Sequence, residues 1–163
     1  MRIAFYTPTL KVGGYEKVVI NYANGFAQKH QVTILCGKAE GEMKDSISSS
    51  VSIVGFGVRT RKLLKPLVKW LKENPIDILY VPFVSFTAIA VLAKKLSESS
   101  ALIYGVQHGF EKKNLPVIDF LLGKVISRAD VLASASKAVA EYDSSRLHIP
   151  KSRFYIFDNP VHS

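Results

Sequence analysis

Seven short apolar runs separate stretches of helical periodicity, and this alternation limits the possible folds more than any other feature of the sequence. The runs are Ile3–Thr7, Val32–Cys36, Val51–Phe56, Ile76–Val81, Leu102–Val106, Val131–Ala133 and Phe154–Phe157. Most of them are continuous rather than alternating, as expected of strands that are buried on both faces. The alternation therefore predicts an α/β fold, a doubly wound, Rossmann-like parallel sheet of about seven strands with helices on both faces.

Amphipathic helical patterns lie between the runs, and several begin with residues that favour a helix start. Ser85 and Ser136 are predicted N-caps, and Pro116 suits a first helical turn. The helix after Ser136 is predicted to end near Leu147. The predicted apolar faces are Tyr15, Val18, Val19, Tyr22, Ala23 and Phe26 in the first helix, Ile89, Leu92 and Leu96 after Ser85, and Phe120, Leu121 and Val125 after Pro116.

Three segments follow predicted strands at the edge where α/β sheets bind ligands. This edge is formed by the carboxyl ends of the strands, so the segments 7–14, 82–85 and 106–111 are expected to share one rim. Gly13 and Gly14 open the first helix. Glycine permits positive φ and close approach of a ligand, and a helix N-terminus offers N–H donors to phosphate or sugar oxygens.

Cysteine content and charge restrict the class of protein. Cys36 is the single cysteine, which excludes an internal disulfide and fits a reducing cytoplasm, and its place at the end of an apolar run predicts a buried thiol. The net charge of +9 indicates an anionic partner. The histidines lack metal-ligand spacing, so no metal site is expected. No secretory signal pattern precedes the first strand, and the polar stretch 37–50 is expected to be a loop or a mobile insertion.

A basic segment before the fourth apolar run has two interpretations. Its cationic residues are Arg59, Arg61, Lys62, Lys65, Lys69 and Lys72, and the four lysines follow helical spacing. Leu64, Val68 and Leu71 form the predicted apolar stripe, with Pro66 in the first turn or at a kink. The segment is either a solvated helix face or an attachment site for an anionic membrane, at about 1 kcal/mol per basic residue near the surface. Nucleic acid is not favoured as a partner, because aromatic residues are not interleaved with the basic ones.

Four landmarks occur in order over essentially the whole chain. They are Gly13-Gly14-Tyr15-Glu16-Lys17 after the first strand, Val106-Gln107-His108-Gly109, Ser127-Arg128-Ala129-Asp130-Val131 before Ser134-Ala135-Ser136, and Ile149-Pro150-Lys151-Ser152-Arg153 through Asn159-Pro160-Val161. With these motifs the sequence resembles the N-terminal domain of a GT-B glycosyltransferase of the retaining family 4. Two positions depart from the family pattern. Tyr15 stands where a small residue is usual, so its ring either shapes the acceptor entrance or only packs in the core, and Asp158 precedes Asn159.

The resemblance implies roles for residues in the first two landmarks and for Glu111, which follows the second landmark. His108 is the implied catalytic residue, in contact with the donor sugar near the reaction centre. The implied substrate-binding residues are Gly13, Gly14, Tyr15, Glu16, Lys17, Gly109 and Glu111, although Glu16 also suits the helix dipole and Lys17 a solvated position. No cofactor is implied. The co-substrate would be a nucleotide-sugar linked to UDP or GDP.

The same resemblance implies that residues 1–163 are the acceptor-side domain of a two-domain enzyme. A C-terminal GT-B domain, absent from this chain and acting in cis or in trans, would hold most of the nucleotide-sugar, so the chain alone is expected to be inactive. The implied reaction is retaining transfer of a hexosyl group to a glycolipid or cell-envelope polysaccharide acceptor. The implied location is cytoplasmic, peripheral on the inner face of the plasma membrane.

Two other classes of protein also fit parts of the sequence. One is a free-standing module that docks on a membrane and partners a separate catalytic chain. The other is a small nucleotide-binding regulator of flavodoxin-like topology. This last class is least favoured because Thr7-Pro8-Thr9 supplies no acidic residue at the end of the first strand.

Overall fold

A computed structural model describes residues 1–157 and contains all seven predicted strands. The strands are β1 (Arg2–Thr7), β2 (Gln31–Cys36), β3 (Val51–Gly55), β4 (Ile78–Pro82), β5 (Leu102–Gln107), β6 (Val131–Ser134) and β7 (Phe154–Ile156). The helices are α1 (Gly14–Phe26), α2 (Leu64–Glu73), α3 (Val84–Ser97), α4 (Pro116–Ile126) and α5 (Lys137–Leu147). The predicted α/β fold is therefore confirmed. The family motif at residues 158–161 lies outside the described residues.

The strands form a parallel sheet in the order β3-β2-β1-β4-β5-β6-β7. The chain first runs outward from β1 to β3 and then returns to place β4 on the other side of β1. With right-handed crossovers, this reversal puts helices on both faces and creates a switch point between β1 and β4, where such sheets bind ligands. A flavodoxin-like sheet has its first strand between the second and third, so the observed order excludes that topology.

Contacts divide the chain into two compact units. The first unit contains Met1–Tyr80 and Ala93–Ala101, and the second contains Val81–Leu92 and the chain from Leu102 onward. Each unit has its own apolar core. The largest fully buried side chains are Phe5, Leu10, Ile20, Ile34, Leu35, Leu63, Leu67 and Leu79 in the first unit, and Ile103, Ile126, Leu132 and Leu147 in the second. The strands β1, β2, β4, β5 and β6 are largely buried, whereas the edge strands β3 and β7 are partly exposed.

An aspartate precedes one strand in each unit and fixes the start of a neighbouring segment. Asp77, just before β4, accepts a hydrogen bond from the backbone N–H of Arg2 at 2.6 Å. Asp130, just before β6, accepts one from the backbone N–H of Ile103 at 2.8 Å. Each carboxylate accepts a hydrogen bond from a backbone N–H near the beginning of a strand. Asp130 belongs to the third landmark, so this residue has a structural role.

Helix starts were predicted correctly at two of three positions. Pro116 occupies the first turn of α4, and the Ser136 hydroxyl accepts a hydrogen bond from the Val139 N–H at 3.2 Å as an N-cap. The Ser85 prediction is wrong, because α3 begins at Val84. Phe83 adopts a left-handed backbone conformation (φ 59°) that leads directly from β4 into the helix.

The predicted apolar faces of α3 and α4 are wrong for a common reason. Leu92 and Leu96 of α3 are exposed, as are Phe120 and Leu121 of α4. The buried positions include the small residues Ala90 and Ala93 in α3, and Asp119, Gly123 and Ile126 in α4. Both helices are apolar on more than one face, so helical periodicity alone does not identify the face that packs.

In α2 the buried stripe differs from the predicted one. Leu67 and Leu71 are buried, whereas Leu64 and Val68 are only half-buried. Leu71 and the first-turn position of Pro66 were therefore predicted correctly, and the other two stripe positions were not.

No helix among residues 1–157 combines the length and the apolar character needed to cross a membrane.

The segment after β2 has more structure than its polar composition indicates. Residues Glu42–Ser46 form a 3-10 turn with Met43 buried, and Asn24 of α1 hydrogen-bonds Ser46 and Ser48. Cys36 is fully buried, as predicted, and burial raises the pKa of its thiol to about 11. This cysteine is therefore an unreactive thiol of the first core.

Candidate substrate-binding loops

The glycine loop (residues 8–14) follows β1, one of the two strands at the switch point. Its middle is anchored by Leu10, whose side chain is fully buried. The Leu10 N–H donates to the Glu40 carbonyl at 3.2 Å, and the Leu10 carbonyl accepts from the Met43 N–H at 3.0 Å. The Pro8 carbonyl accepts from the Lys38 N–H at 3.1 Å. These three backbone hydrogen bonds to the segment after β2 therefore fix the position of the glycine loop.

The two glycines of the loop do not have the backbone conformation expected of them. Gly13 is extended, with φ −165°, and neither glycine has a positive φ. A side chain at Gly13 would overlap the carboxyl end of Glu16, which is flexible, and one at Gly14 would meet nothing within 4 Å. Within its unit the chain therefore gives no steric reason for Gly14, and the position leaves open space at the start of α1.

The three residues after the glycine pair have distinct environments. The Tyr15 hydroxyl donates to the Tyr6 carbonyl at 2.6 Å, and burial raises the pKa of this hydroxyl well above its usual value. This contact agrees with the interpretation in which the Tyr15 ring packs in the core. The Glu16 carboxyl lies beside Gly13, and Lys17 is exposed. Their implied contacts with substrate remain predictions.

In the second unit, a strained elbow joins β4 to α3. Phe83 has a φ of 59°, which is costly for a residue with a bulky side chain. Its N–H donates to the Val106 carbonyl at 2.9 Å, and its carbonyl accepts from the Thr87 hydroxyl at 2.7 Å. The bond between Phe83 and Val106 places the predicted rim segments 82–85 and 106–111 side by side. The predicted place of residues 7–14 on the same rim stays a prediction.

The histidine loop (residues 107–111) begins at the end of β5. Burial lowers the pKa of His108 to about 4, so its imidazole is neutral at neutral pH and can both donate and accept a hydrogen bond. The His108 and Phe157 rings make an edge contact, with centroids 6.2 Å apart. A side chain at Gly109 would meet nothing within 4 Å. The loop thus combines a neutral imidazole with open space.

Glu111 makes its described contacts within the protein. Its carboxylate Oε2 accepts a hydrogen bond from the backbone N–H of Val84 at 2.8 Å, at the N-terminus of α3. Its carbonyl accepts from the Tyr142 hydroxyl at 2.7 Å. Both bonds hold the histidine loop against the elbow and α5. The implied contact of Glu111 with acceptor hydroxyls is not needed to explain these bonds and remains a prediction.

A buried charge cluster supports the histidine loop, and the sequence did not reveal it. Arg146 Nη2 lies 3.1 Å from Asp143 Oδ1 and 3.6 Å from Glu111 Oε2, and Nη1 lies 4.0 Å from Asp119 Oδ1. The contact with Asp143 is not aligned as a hydrogen bond. Burial raises the pKa of Glu111 and raises that of Asp143 to about 6, against the opposing effect of Arg146. The available signal was the spacing of Asp143 and Arg146, which puts two charges on the apolar face of α5.

The basic segment is arranged as a solvent-exposed surface of the first unit. Arg59 and Arg61 are exposed, Lys62 ends a 3-10 turn, and three lysines of α2 line a groove with Leu64, Val68 and Leu96. These lysines are Lys65, Lys69 and Lys72. Lys69 forms an exposed ion pair with Glu73 at 3.9 Å.

Among residues 1–157, no group of three or more histidine, cysteine or acidic side chains is placed to hold a metal ion.

Comparison with known proteins identifies the family of the chain. Residues 12–163 match the family model described as Glycosyltransferase Family 4. The chain belongs to this glycosyltransferase family. The match includes residues 12–14 of the glycine loop and the whole histidine loop, and it agrees with the motifs from which the resemblance was inferred.

One curated relative is a transferase of Campylobacter jejuni. It is the GalNAc-alpha-(1->4)-GalNAc-alpha-(1->3)-diNAcBac-PP-undecaprenol alpha-1,4-N-acetyl-D-galactosaminyltransferase, 26% identical over 155 residues that cover 86% of this chain and 43% of the relative. The chain therefore spans less than half the length of this relative.

Two solved structures share the fold over nearly the whole chain. The apo form of the lipopolysaccharide outer core galactosyltransferase WaaB has a TM-score of 0.69 and 22% identity, covering 99% of this chain and 46% of WaaB. Anabaena HepE in complex with UDP-glucose has a TM-score of 0.72 and 15% identity, covering 98% of this chain and 44% of HepE. At these identities the likeness establishes the GT-B-type fold.

Proposed function

We propose that this chain is the acceptor-binding half of a retaining glycosyltransferase that moves a hexosyl group from a UDP- or GDP-sugar to a glycolipid or cell-envelope polysaccharide. The observation that carries the proposal is the open space at Gly14, the first residue of the helix that follows β1, one of the two strands at the switch point. Family membership supports the transfer reaction, and the lipid-linked acceptor in the name of the Campylobacter relative supports the acceptor class. A donor-binding domain, in cis or in trans, would complete the enzyme in the cytoplasm.

In this proposal the glycine loop brings backbone N–H groups close to substrate oxygens. The absence of a side chain at Gly14 lets a phosphate or hydroxyl group approach the first turn of α1, where the N–H groups have no partner within the helix. Transfer from a nucleotide-sugar needs an aligned acceptor hydroxyl and stabilisation of an anionic leaving group. The loop would supply part of this alignment without a change in protonation.

His108 is the proposed sugar contact of the histidine loop. A neutral imidazole can accept a hydrogen bond from a sugar hydroxyl or donate one to it, and this requires no proton transfer. The charge cluster and the Glu111 bond to α3 hold the loop that carries it. His108 therefore acts through position, and its pKa of about 4 keeps it neutral throughout the working range of a cytoplasmic enzyme.

The test compares Gly14→Ala with Gly25→Ala in the full-length protein. Both glycines lie in α1, and an added Cβ would meet nothing within 4 Å at either position. Each change should leave the fold intact and tend to raise helix stability, by up to about 1 kcal/mol at the interior position. Only Gly14→Ala should lower kcat/KM, by on the order of tenfold or more, because its methyl group enters the proposed substrate space.

Release of nucleoside diphosphate from a panel of UDP- and GDP-sugars would measure this, with the anomeric configuration of the product read by NMR. His108→Ala belongs in the same assay and should lower transfer without unfolding the protein. Wild-type kcat/KM in Gly14→Ala would remove the glycine loop from the mechanism, and an inverted anomeric centre would exclude a retaining enzyme.

A second candidate is the free-standing membrane-docking module that partners a separate catalytic chain. The observation that favours it is the groove of α2, where exposed lysines lie beside half-buried apolar side chains. Under either candidate, this surface would attract an anionic inner leaflet electrostatically. Neutralising Lys62, Lys65, Lys69 and Lys72 should then abolish sedimentation with anionic vesicles, whereas unchanged sedimentation would leave α2 as a solvated helix face.

A further inference from the structure

A separate surface of the second unit exposes a group of large apolar side chains. The exposed fractions are 66% for Leu115, 61% for Val117, 43% for Ile118, 42% for Phe120 and 56% for Leu121, and Phe110, a few residues earlier, is 65% exposed. These six residues are called the α4 surface. Isolated exposed apolar residues are common in folded proteins, but a group of this size on one short segment marks an interaction site.

The exposure follows from the way α4 packs. The helix contacts α5 along a narrow strip that includes Gly123, where a Cβ would overlap the carbonyl of Leu147. Asp119, Gly123 and Ile126 are its buried residues. Because Asp119 and Gly123 occupy two of these three positions, Ile126 is the one large apolar side chain of α4 among its buried residues, and the others are wholly or partly exposed.

Charge is segregated in the same segment. Among residues 110–128, the exposed charged side chains are all cationic, namely Lys112, Lys113, Lys124 and Arg128. The two acidic residues of the segment, Glu111 and Asp119, both contact Arg146 in the buried charge cluster. The exposed side of this segment therefore combines apolar and positively charged groups without an exposed carboxylate.

We infer that the α4 surface docks on an anionic lipid bilayer, with α4 lying in the plane of the interface. Apolar side chains on a short helix can enter the boundary between headgroups and acyl chains, while cations beside them contact lipid phosphates. The helix has 11 residues, far fewer than a membrane-spanning helix needs. The absence of exposed carboxylates favours an anionic lipid over a protein partner with mixed charge. The inference goes beyond the proposed function and does not involve α2.

The cations are close enough to the aromatic rings to act at the same depth. Lys124 Nζ lies 5.0 Å from the centroid of the Phe120 ring, and Lys113 Nζ lies 5.5 Å from that of Tyr142. Long cationic side chains cover apolar surface with their stems and can extend their charged ends to phosphate groups. The Phe120 ring can thus enter the interface while the Lys124 ammonium group reaches the headgroups, and Lys113 lies beside the half-buried Tyr142 ring.

Fluorescence can distinguish the α4 surface from the basic helix, because the single tryptophan, Trp70, lies on α2. In the full chain, Trp70→Phe combined with Leu121→Trp moves the probe to α4. The tryptophan at position 121 should show a blue shift when phosphatidylglycerol-containing vesicles are added, and no shift with pure phosphatidylcholine vesicles. An unchanged spectrum at position 121 in the presence of sedimenting vesicles would overturn the inference.

Sedimentation with the same vesicles supplies the quantitative test. Val117→Ser with Leu121→Ser should weaken binding by on the order of 100-fold, or about tenfold for each buried side chain. Lys112→Gln with Lys113→Gln should weaken it by roughly fivefold per charge removed, and only for vesicles containing phosphatidylglycerol. Leu92→Ser is the matched control, because Leu92 is 40% exposed and also lies on a helix, outside the lysine groove of α2. It should not change the affinity.

Two results would contradict the docking surface. If neutralising the α2 lysines abolishes binding and the Val117/Leu121 double variant binds as the wild type does, the membrane contact belongs to α2. If gel filtration shows a dimer that the double variant converts to a monomer while vesicle binding persists, a second copy of the chain covers α4. Circular dichroism of each variant verifies that it is folded, and these exposed substitutions should leave the spectrum unchanged.

Discussion

At the scale of single residues, Arg146 has the most demanding environment in the second unit. Its side chain is almost fully buried and is surrounded by Glu111, Asp119 and Asp143, with the Tyr142 ring 5.4 Å from its guanidinium carbon. A buried charge of this kind is strongly unfavourable once its partners are removed. The cluster therefore fixes the position of the histidine loop and makes that position sensitive to the loss of one group.

Arg146→Ala is expected to lower the free energy of unfolding by about 3–5 kcal/mol, because three acidic groups would lose their common cation. The control is Lys151→Ala, which removes an exposed ion pair with Glu141 at 3.4 Å. An exposed pair contributes at most about 1 kcal/mol. Urea denaturation of both variants would measure the difference, and equal losses would show that the cluster does not stabilise the fold.

Asp143 should make stability depend on pH. Its folded pKa of about 6 lies above the usual value of 3.8, so the native state binds the proton more tightly than the unfolded chain does. This contribution is present at low pH and is lost as pH rises from about 4 to about 6. Relative to Asp143→Asn, the wild type should therefore lose on the order of 2–3 kcal/mol between about pH 4 and pH 7. Denaturation curves of both proteins at each pH test this sign, and a relative gain for the wild type would refute it.

At the scale of elements, close backbone contacts decide how loops and helices are positioned. Gly41 has a φ of 147°, and a Cβ there would overlap the backbone of Leu10 in the glycine loop. Gly123 makes the corresponding close contact between α4 and α5. The absence of a side chain at Gly41 lets the segment after β2 pack against the glycine loop, and its absence at Gly123 lets α5 pack against α4, which carries the α4 surface.

Gly41→Ala is expected to destabilise the protein by more than about 2 kcal/mol, since it combines backbone strain with a steric overlap. Gly57→Ala is the control, because Gly57 also has a positive φ (67°) but a Cβ there would meet nothing within 4 Å. That change should cost about 1 kcal/mol. Hydrogen exchange of the Leu10 and Met43 amides would show whether the loop contact opens. Protected amides in folded Gly41→Ala would show that the overlap is relieved without loss of the contact.

At the scale of the whole molecule, the chain has a GT-B-type sheet. The chain covers 43% of the Campylobacter relative and 46% of WaaB. If the donor is held mainly by another domain, residues 1–163 should show no transfer above background. Addition or fusion of a matching donor-binding domain should restore transfer. Release of nucleoside diphosphate by the chain alone, in the presence of acceptor, would contradict this division of roles.

The amino-acid sequence is sufficient to predict the fold class, because buried parallel strands require continuous apolar runs and the crossovers between them are usually helices. All seven strands could be identified from such local patterns. The order of the sheet, with its switch point beside the glycine loop, came only from the structure. Local patterns specify that strands exist and not which strands are neighbours.

The packing of individual side chains was decided by the tertiary structure. Leu92 and Phe120 match apolar helical patterns yet are exposed, because α3 and α4 pack through smaller residues such as Ala93 and Gly123. Arg146 has an ordinary sequence context, and its burial depends on carboxylates from three different positions. Helical periodicity shows which face of a helix is apolar. Whether that face is buried depends on which neighbouring element can approach it closely. That approach is fixed only when the elements are packed together.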